Sequence, residues 1–313
     1  MPTPLTPSLL ESFFHGLDLQ FQEALQNQGT IWEKIASKKT SVHEDEVYGW
    51  LDLVPLLRKW YGPRVINQLS LRAQRLVNEL YELTVGIRRT KLEDDTAGMY
   101  SDYVRMMGVS SKLWPENLVI AALKAASSTT VYDNQYFFDT DHPVDMDNPN
   151  SATQSNDIDY SSSGGLTSDN IADAFAKMRA FKGANGDPLD VNPNVLLVPP
   201  QSEYKAKQIF NATIIAQAVG SNAAAAIDNQ LKGMADVVTS GRLADTPDYV
   251  YLLDCRMPVK PFIFQERDPA VFTPRYNPED PHVFDVDEYL AGVRARGAAG
   301  YGPWWLAARL KIA

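Results

Sequence analysis

A chain of 313 residues, 44% hydrophobic and 22% charged, is long enough to bury the core of one large domain or two moderate ones, which excludes a wholly disordered protein. No apolar run approaches the roughly 20 residues that span a bilayer, so no membrane partner is expected. The net charge of −10 argues against a protein that coats DNA by neutralising phosphates. The single cysteine, Cys255, excludes an intrachain disulfide or a cysteine-based metal site and fits synthesis in a reducing cytosol.

The charge is unevenly distributed along the chain. Residues 131–190 hold eleven aspartates and no glutamate against three basic residues, which gives a local charge of −8. Residues 47–91 hold eight basic residues against three acids, which gives +5. Opposite charges on one chain favour pairing between copies of that chain. The alternative interpretation is two solvated surfaces.

The first 91 residues predict a helical arm and then a two-stranded ribbon. Apolar residues recur at helical spacing in the arm, at Leu9, Leu10, Phe13, Phe14 and Leu17. Residues 47–91 predict a ribbon, because 83–87 alternate and a Tyr-Gly-Pro turn signal lies at 61–63. Residues 69–80 also fit a helix. An isolated ribbon is marginal in water, so it needs a neighbour, which another subunit could supply.

The middle of the chain predicts helix and then loop. Residues 95–127 predict two helices, and the second begins at Pro115, because proline is tolerated in a first turn. Residues 128–167 predict a long loop, since much of this stretch is rich in Asn, Ser, Asp and Gly.

A compact α/β unit is predicted for residues 168–253. Ser168 and Asp169 can cap its first helix, whose apolar face is Ile171, Ala174, Phe175 and Met178. A buried strand at 195–198, a second helix, an alanine-rich segment at 220–226 between helical pieces, and strands at 237–238 and 250–253 follow. The last strands are predicted at 262–265, 283–286 and 304–312.

The sequence contains no convincing catalytic constellation. It lacks a Gly-Lys-Ser/Thr phosphate loop, a Gly-x-Ser-x-Gly elbow and a His-Glu-x-x-His helix. Cys255 follows an apolar strand, so an inert thiol is expected. The best enzymatic candidate is a metal-dependent hydrolase built on Asp139, Asp141 and His142, because carboxylates and an imidazole on one loop could hold a metal. The alternative is a structural turn, since aspartates favour turns and the residue before Pro143 is extended.

Particular strings resemble the major head subunit family of Mu-like phages. They occur in family order over most of residues 45–307: YGWL at 48–51, KW at 59–60, TVGI at 84–87, LEDD at 92–95, GMY at 98–100, FFDTDHP at 137–143, YLLDC at 251–255, KPFIFQER at 260–267, HVF at 282–284 and AAGYG at 298–302. Several such strings together are specific, whereas one alone is weak.

The resemblance implies an α+β protein with the Hong Kong 97-type capsid fold. It places an N-terminal arm at 1–45 and an extended loop at 46–91. A peripheral domain with a spine helix is expected at 92–166 and 254–313, and an axial domain at 167–253.

The resemblance also implies a major capsid protein with no enzymatic activity and no cofactor. Its copies are expected to form hexamers and pentamers that close an icosahedral head around double-stranded phage DNA, which the shell encloses without sequence-specific binding. Scaffolding protein or protease, portal and decoration proteins are further expected partners, and the virion is the expected location. The predicted inter-subunit contacts are the basic residues of the extended loop: Arg58, Lys59, Arg64, Arg72 and Arg75. A soluble binding module that uses this loop is a second alternative beside the hydrolase.

Overall fold

A computed structural model describes residues 6–50, 72–93, 98–148, 150–218 and 224–313. Its mixed helices and strands agree with the predicted α+β class. The helices are α1 (Pro7–Asn27), α2 (Trp32–Ile35), α3 (Arg89–Glu93), α4 (Met99–Ala125), α5 (Ser168–Arg179), α6 (Pro200–Asn211) and α7 (Pro281–Val286). None of the helices in these ranges is both long enough and apolar enough to cross a membrane.

The strands range from two to fourteen residues in length. They are β1 (Ala36–Thr40), β2 (Asp45–Trp50), β3 (Arg72–Val77), β4 (Glu79–Arg88), β5 (His142–Pro143), β6 (Thr153–Gln154), β7 (Asp157–Asp159), β8 (Val195–Val198), β9 (Ile214–Ala218), β10 (Ala224–Asp228), β11 (Asp236–Thr239), β12 (Tyr249–Leu253), β13 (Phe262–Arg275), β14 (Glu288–Tyr301) and β15 (Ala307–Lys311).

Helix α1 forms where the arm was predicted, and it packs on its own subunit. Its buried face is Leu10, Phe14, Leu17 and Phe21, which join a core cluster with residues of α4, β13 and β14. Burying one such side chain stabilises the fold by about 1.5–3 kcal/mol. The approach to α4 is close at Gly108, where an added Cβ would lie 2.6 Å from the carbonyl oxygen of Phe21. Leu10, Phe14 and Leu17 of the predicted apolar face are therefore covered within the subunit, whereas Leu9 is exposed.

A four-stranded sheet has the order β1-β13-β14-β4. It joins two strands from the first third of the chain to two strands from the last third. Strand β1 runs parallel to β13 with Ala36 opposite Phe262, and the other pairs are antiparallel. The register of β13 shifts between Glu266 and Val271. This stretch contains Pro269, which cannot donate a ladder hydrogen bond and is compatible with a bulge. Helix α4 packs against β13 and β14.

A five-stranded sheet has the order β11-β8-β12-β15-β7. All four residues of β8 are buried, as predicted for a strand inside the core. Helix α5 buries its predicted face of Ile171, Ala174, Phe175 and Met178. Strands β8, β11 and β12 come from the predicted axial domain, whereas β7 and β15 come from the predicted peripheral domain. One sheet therefore links the two predicted domains, and Leu253 lies opposite Ala307 where β12 meets β15.

Helix α4 corrects the prediction of two helices at 95–127. It runs without a break for 27 residues with Pro115 inside it. An interior proline removes one hydrogen bond and costs about 3 kcal/mol in an isolated helix. Pro115 is buried, as are Val119, Ile120 and Leu123. Tertiary packing of this apolar face outweighs the local cost.

Four smaller predictions of local structure are also wrong. Residues 283–286 belong to helix α7, because Asp280 accepts the His282 N–H at 3.0 Å and a proline opens the first turn. The alanines at 224–226 lie in β10, which pairs with β9, so the described part of the alanine-rich segment is strand. The helical alternative at 69–80 fails over its described part, which is strand. Thr167, not Ser168 or Asp169, caps α5 by accepting the Asn170 N–H at 3.2 Å.

The end of the chain was predicted in part. A short 3-10 turn, Trp304–Leu306, precedes β15, so the strand is shorter than the predicted 304–312.

Candidate assembly site

The base of the predicted extended loop is a two-stranded ribbon. Strands β2 and β3 pair antiparallel from Asp45 opposite Val77 to Trp50 opposite Arg72, and the described residues add no third strand to them. On this ribbon, Val47 of β2 is 61% exposed and Val77 of β3 is 45% exposed. Exposed apolar residues on so thin a sheet are typical of a surface that a partner covers.

The predicted contact residues are only partly described. Arg58, Lys59 and Arg64 lie outside the described residues, and the backbone of Arg72 opens β3. The side chain of Arg75 is 67% exposed, and its Nε lies 2.7 Å from Oδ2 of Asp45. This hydrogen bond raises the pKa of Arg75 above its usual value. The role of all five residues as inter-subunit contacts stays a prediction.

A buried amide fixes the ribbon to the central sheet. Gln265 of β13 is fully buried, and its Oε1 accepts a hydrogen bond from the Tyr48 hydroxyl at 2.8 Å. Its Nε2 donates to Oδ1 of Asn78 at 2.7 Å and to the carbonyl of Leu76 at 3.3 Å. Burial raises the pKa of Tyr48 to about 12, so this donor stays protonated at neutral pH.

A second set of hydrogen bonds holds the chain where it enters and leaves the ribbon. Nδ2 of Asn78 donates to Oγ of Ser41 at 2.8 Å and to the carbonyl of His43 at 2.9 Å. Glu46 accepts from the Val42 N–H at 2.9 Å and from the Ser41 hydroxyl at 3.0 Å. The bond from Val42 is the main cause that lowers the pKa of Glu46. The two networks together orient the ribbon on the body of the subunit.

The sequence did not reveal Gln265, Asn78 and Ser41 as the residues that position the ribbon. The available signal was a glutamine directly after the apolar run at 262–264 of a strand, where a polar side chain needs a partner once it is buried.

The loop of the hydrolase hypothesis is a buried structural network. Nδ1 of His142 lies 2.6 Å from Oδ2 of Asp133, and its Nε2 lies 3.2 Å from Oδ1 of Asn156. The imidazole is fully buried and stacks on Trp304, with ring centroids 4.0 Å apart. Asp139 accepts the backbone N–H of Thr140 at 2.8 Å. Both nitrogens of the imidazole are therefore used within the protein, and neither is free to bind a metal.

Asn156 holds the imidazole of His142 from the side opposite Asp133. Nδ2 of Asn156 donates to the carbonyls of Phe137, Trp304 and Ala307. Its Oδ1 is therefore the acceptor that faces His142, so Nε2 of the imidazole carries a hydrogen. The 2.6 Å contact with Asp133 occupies Nδ1, the other nitrogen of the ring. The hydrogen bonds of Asn156 and the stacking of His142 on Trp304 tie the 133–156 loop to residues 304–307.

The aromatic residues beside this loop belong to the core. Phe137 stacks with Tyr301 at a centroid distance of 5.0 Å, and Phe138 lies 5.6 Å from Tyr251. The described residues contain no group of three or more His, Cys, Asp or Glu side chains placed to hold a metal. The FFDTDHP string is thus explained by packing and hydrogen bonding.

Cys255 has the chemistry of a structural thiol. Burial raises its pKa to about 12, so the reactive thiolate is scarce at neutral pH.

Helix α4 is tied to the segment 241–245 by ionic contacts. Oε1 of Glu116 lies 3.6 Å from Nε of Arg242, and its Oε2 accepts the Ile31 N–H at 2.9 Å. Lys124 forms a second pair with Asp245 at 2.6 Å. The long helix thereby contacts the arm, the four-stranded sheet and the segment that joins β11 to β12.

A long helix packed on the arm, a two-stranded ribbon and two linked sheets are the architecture of a phage capsid subunit, as the solved structures show. The chain aligns with a protein from the procapsid of bacteriophage JBD30 at 28% identity and a TM-score of 0.61, over 99% of this chain and 77% of that one. It also aligns with a protein from the capsid of cyanophage P-SCSP1u, at 12% identity and a TM-score of 0.57, over 91% of this chain and 89% of that one, which shows the fold alone.

The sequence comparisons define the family. The family model described as Mu-like prophage major head subunit gpT matches residues 10–162, 157–243 and 232–313. The chain is 28% identical to the major capsid protein of Escherichia phage Mu over 307 residues, which is 98% of this chain and 75% of that protein. The chain therefore belongs to the Mu-like prophage major head subunit family and has the Hong Kong 97-type fold.

Family membership confirms the predicted capsid function. The chain is a major capsid protein, a structural protein and not an enzyme, and it assembles with copies of itself. The hydrolase hypothesis built on Asp139, Asp141 and His142 is not supported.

Proposed function

We propose that the extended loop at residues 46–91 lies across a neighbouring copy and that its arginines and lysine form the contact. The observation that supports this most directly is the fixed two-stranded base with exposed apolar residues. The network around Gln265 orients the base of the loop before assembly, which lowers the entropy cost of docking. Charged contacts repeat at every interface, and they also steer the encounter of subunits.

The shell that follows contains hexamers and pentamers that close around double-stranded phage DNA. The predicted division into arm, extended loop, peripheral domain and axial domain supplies the parts for this assembly. An acidic chain encloses DNA without gripping its phosphates, since the net charge is −10. We expect synthesis in the bacterial cytoplasm, where the single cysteine stays reduced.

Other partners belong to the same proposal. The capsid of bacteriophage JBD30 is decorated with minor capsid protein trimers. A comparable decoration protein, a scaffolding protein or protease and a portal are the expected partners of this shell.

The test reverses the charge of the loop. Replacing Arg58, Arg64 and Arg72 together with Glu should leave a folded subunit that forms no shells. Circular dichroism and thermal melting report the fold, and sedimentation with electron microscopy reports the assembly products.

The matched control replaces the same three arginines with Lys, which keeps the charge. This variant should assemble, more weakly at high salt because surface ion pairs are screened. Normal assembly of the Glu variant at low and high salt would place the interface elsewhere. Unfolding of the Glu variant alone would show that the loop belongs to the subunit's own core.

A further inference from the structure

A groove of about 700 Å³ lies between β1, the last turns of α1 and the middle of α4. Its apolar lining includes Trp32, Trp114 and Pro115. Four lysines against two glutamates supply its charge: Lys38, Lys39, Lys112, Lys260, Glu33 and Glu266. The groove is therefore basic on a chain whose net charge is −10.

Two of the four lysines already have carboxylate partners. Nζ of Lys38 lies 2.5 Å from Glu266, and Nζ of Lys112 lies 3.5 Å from Glu33. Lys39 has no carboxylate within ion-pair distance among the described residues, and Lys260 donates only to the backbone carbonyl of Glu33. Both side chains are partly buried. Partly buried cations without a counter-charge favour an anion from outside the subunit.

An excess of negative charge lies on the loop before β5. Asp141 is exposed, and the neighbouring Asp139 gives this loop a second carboxyl group. Burial and the charge of Asp139 raise the pKa of Asp141. His142, the adjacent basic group, is already bound to Asp133. No lysine or arginine in the described part of the chain forms an ion pair with Asp141.

We propose that the groove at Lys39 and Lys260 receives the Asp141 carboxylate of a neighbouring copy. In a shell of identical copies every groove has such a loop available, so charge complementarity is satisfied at each contact. Two different patches of one chain that meet form a heterologous contact, which closes into rings when the rotation is a fraction of a full turn. The basic extended loop, with a local charge of +5, does not fit this groove. The contact rests on self-assembly of the chain and is independent of the arginines of the extended loop.

Charge exchange tests the contact. Replacing Lys39 and Lys260 with Glu should lower shell yield at least about tenfold while the subunit stays folded, and Asp141→Lys alone should do the same. All three changes in one chain should restore at least half of the yield, because the two charges are exchanged. The pair Lys205→Glu and Asp169→Lys, exposed residues on α6 and α5, is the matched control and should leave the yield unchanged.

Three results would overturn the proposal: normal yield from the Lys39/Lys260 variant, normal yield from Asp141→Lys, or no recovery in the combined variant. If the Glu variant unfolds, Lys39→Gln with Lys260→Gln replaces it, and an unchanged yield then overturns the proposal. Recovery in the combined variant supports the groove even where the arginine variants of the extended loop assemble normally. The two proposals can therefore fail separately.

Discussion

The hydroxyl of Tyr48 donates a 2.8 Å hydrogen bond to Oε1 of Gln265, a residue more than 200 positions away in the sequence. The bond joins the first strand of the ribbon to the strand that crosses the centre of the four-stranded sheet. A ribbon of two strands has little stability of its own. Its direction therefore depends on this contact and on the amide partners of Gln265.

Removing the Tyr48 hydroxyl should destabilise the subunit. In Tyr48→Phe the ring remains, but Oε1 of the fully buried Gln265 loses its hydroxyl donor. An unsatisfied buried acceptor costs about 1–3 kcal/mol. Urea unfolding should show a loss of that size. Tyr204→Phe is the control, since Tyr204 is 80% exposed, and it should change stability by less than about 0.5 kcal/mol. Equal stability of the two variants would contradict the proposed anchoring.

Two glycines in helices should respond to alanine with opposite signs. A Cβ at Gly108 would lie 2.6 Å from the carbonyl of Phe21 and 2.9 Å from Cβ of Ala24, so α1 must shift away from α4. Gly108→Ala should therefore cost about 1–3 kcal/mol. A Cβ at Gly16 meets nothing within 4 Å, so Gly16→Ala should stabilise the subunit by about 0.5–1 kcal/mol. Thermal melting measures both, and a stabilising Gly108→Ala would show that the arm is not held against the spine helix.

The buried pair of His142 and Asp133 should be structural. Removing one member of such a pair leaves the other uncompensated, at a cost of about 3–5 kcal/mol. We expect a loss of this size in His142→Asn by urea unfolding. The matched control is His43→Asn, because His43 is exposed.

Elemental analysis of the same two variants addresses the metal hypothesis. Metal content should stay at background in the unaltered chain and in both variants. One tightly held metal per subunit, lost only in His142→Asn, would revive a metal site on this loop.

The sequence predicted the elements whose signal is local. The apolar spacing of Leu10, Phe14 and Leu17 placed α1, and four consecutive apolar residues placed β8. Pro115 was misread because its local preference for a first turn is outweighed by the burial of α4 on two sheet strands. Those strands are distant in the sequence, so the residues around Pro115 do not indicate this packing. Residues 283–286 were misread for a different reason. The Asp-Pro pair that starts α7 is a helix-cap signal in the local sequence, and the strand prediction overlooked it.

The same distinction between local signals and long-range contacts applies to the candidate assembly site. The position of the ribbon followed from alternation and from family strings, whereas its anchoring depends on contacts such as that between Asn78 and Gln265, which are 187 residues apart. Spacing along the chain carries no information about such a pair. His142 was noticed, but its role required its burial and the positions of Asp133 and Asn156. A cluster of acids and a histidine has the same appearance in sequence whether it binds a metal or closes a loop.

The Cys255 thiol should make stability depend on pH in alkaline solution. Burial raises the pKa of Cys255 from its usual value of 9.0 to about 12, so above pH 9 the unfolded chain releases a proton that the folded chain keeps. The thiol contributes its full share to the free energy of unfolding below pH 9. This contribution is lost as the pH rises toward 12, with a slope of at most about 1.4 kcal/mol per pH unit. The pKa values of Tyr48, Tyr81 and Tyr251 are also raised to about 12, and they act with the same sign above pH 10.

Urea unfolding at pH 8, 9 and 10 separates the thiol from the tyrosines. Between pH 9 and 10 the unaltered chain should lose stability faster than Cys255→Ala, because the variant has no thiol to ionise while its tyrosines are unchanged. The comparison uses the difference in slope, so the packing cost of the smaller side chain cancels. A thiol reagent supplies a second measurement: at pH 8 it should label the folded chain slowly and the chain in urea rapidly. Parallel pH profiles of the two chains, or rapid labelling of the folded one, would mean that Cys255 is open to solvent and ionises near its usual pKa.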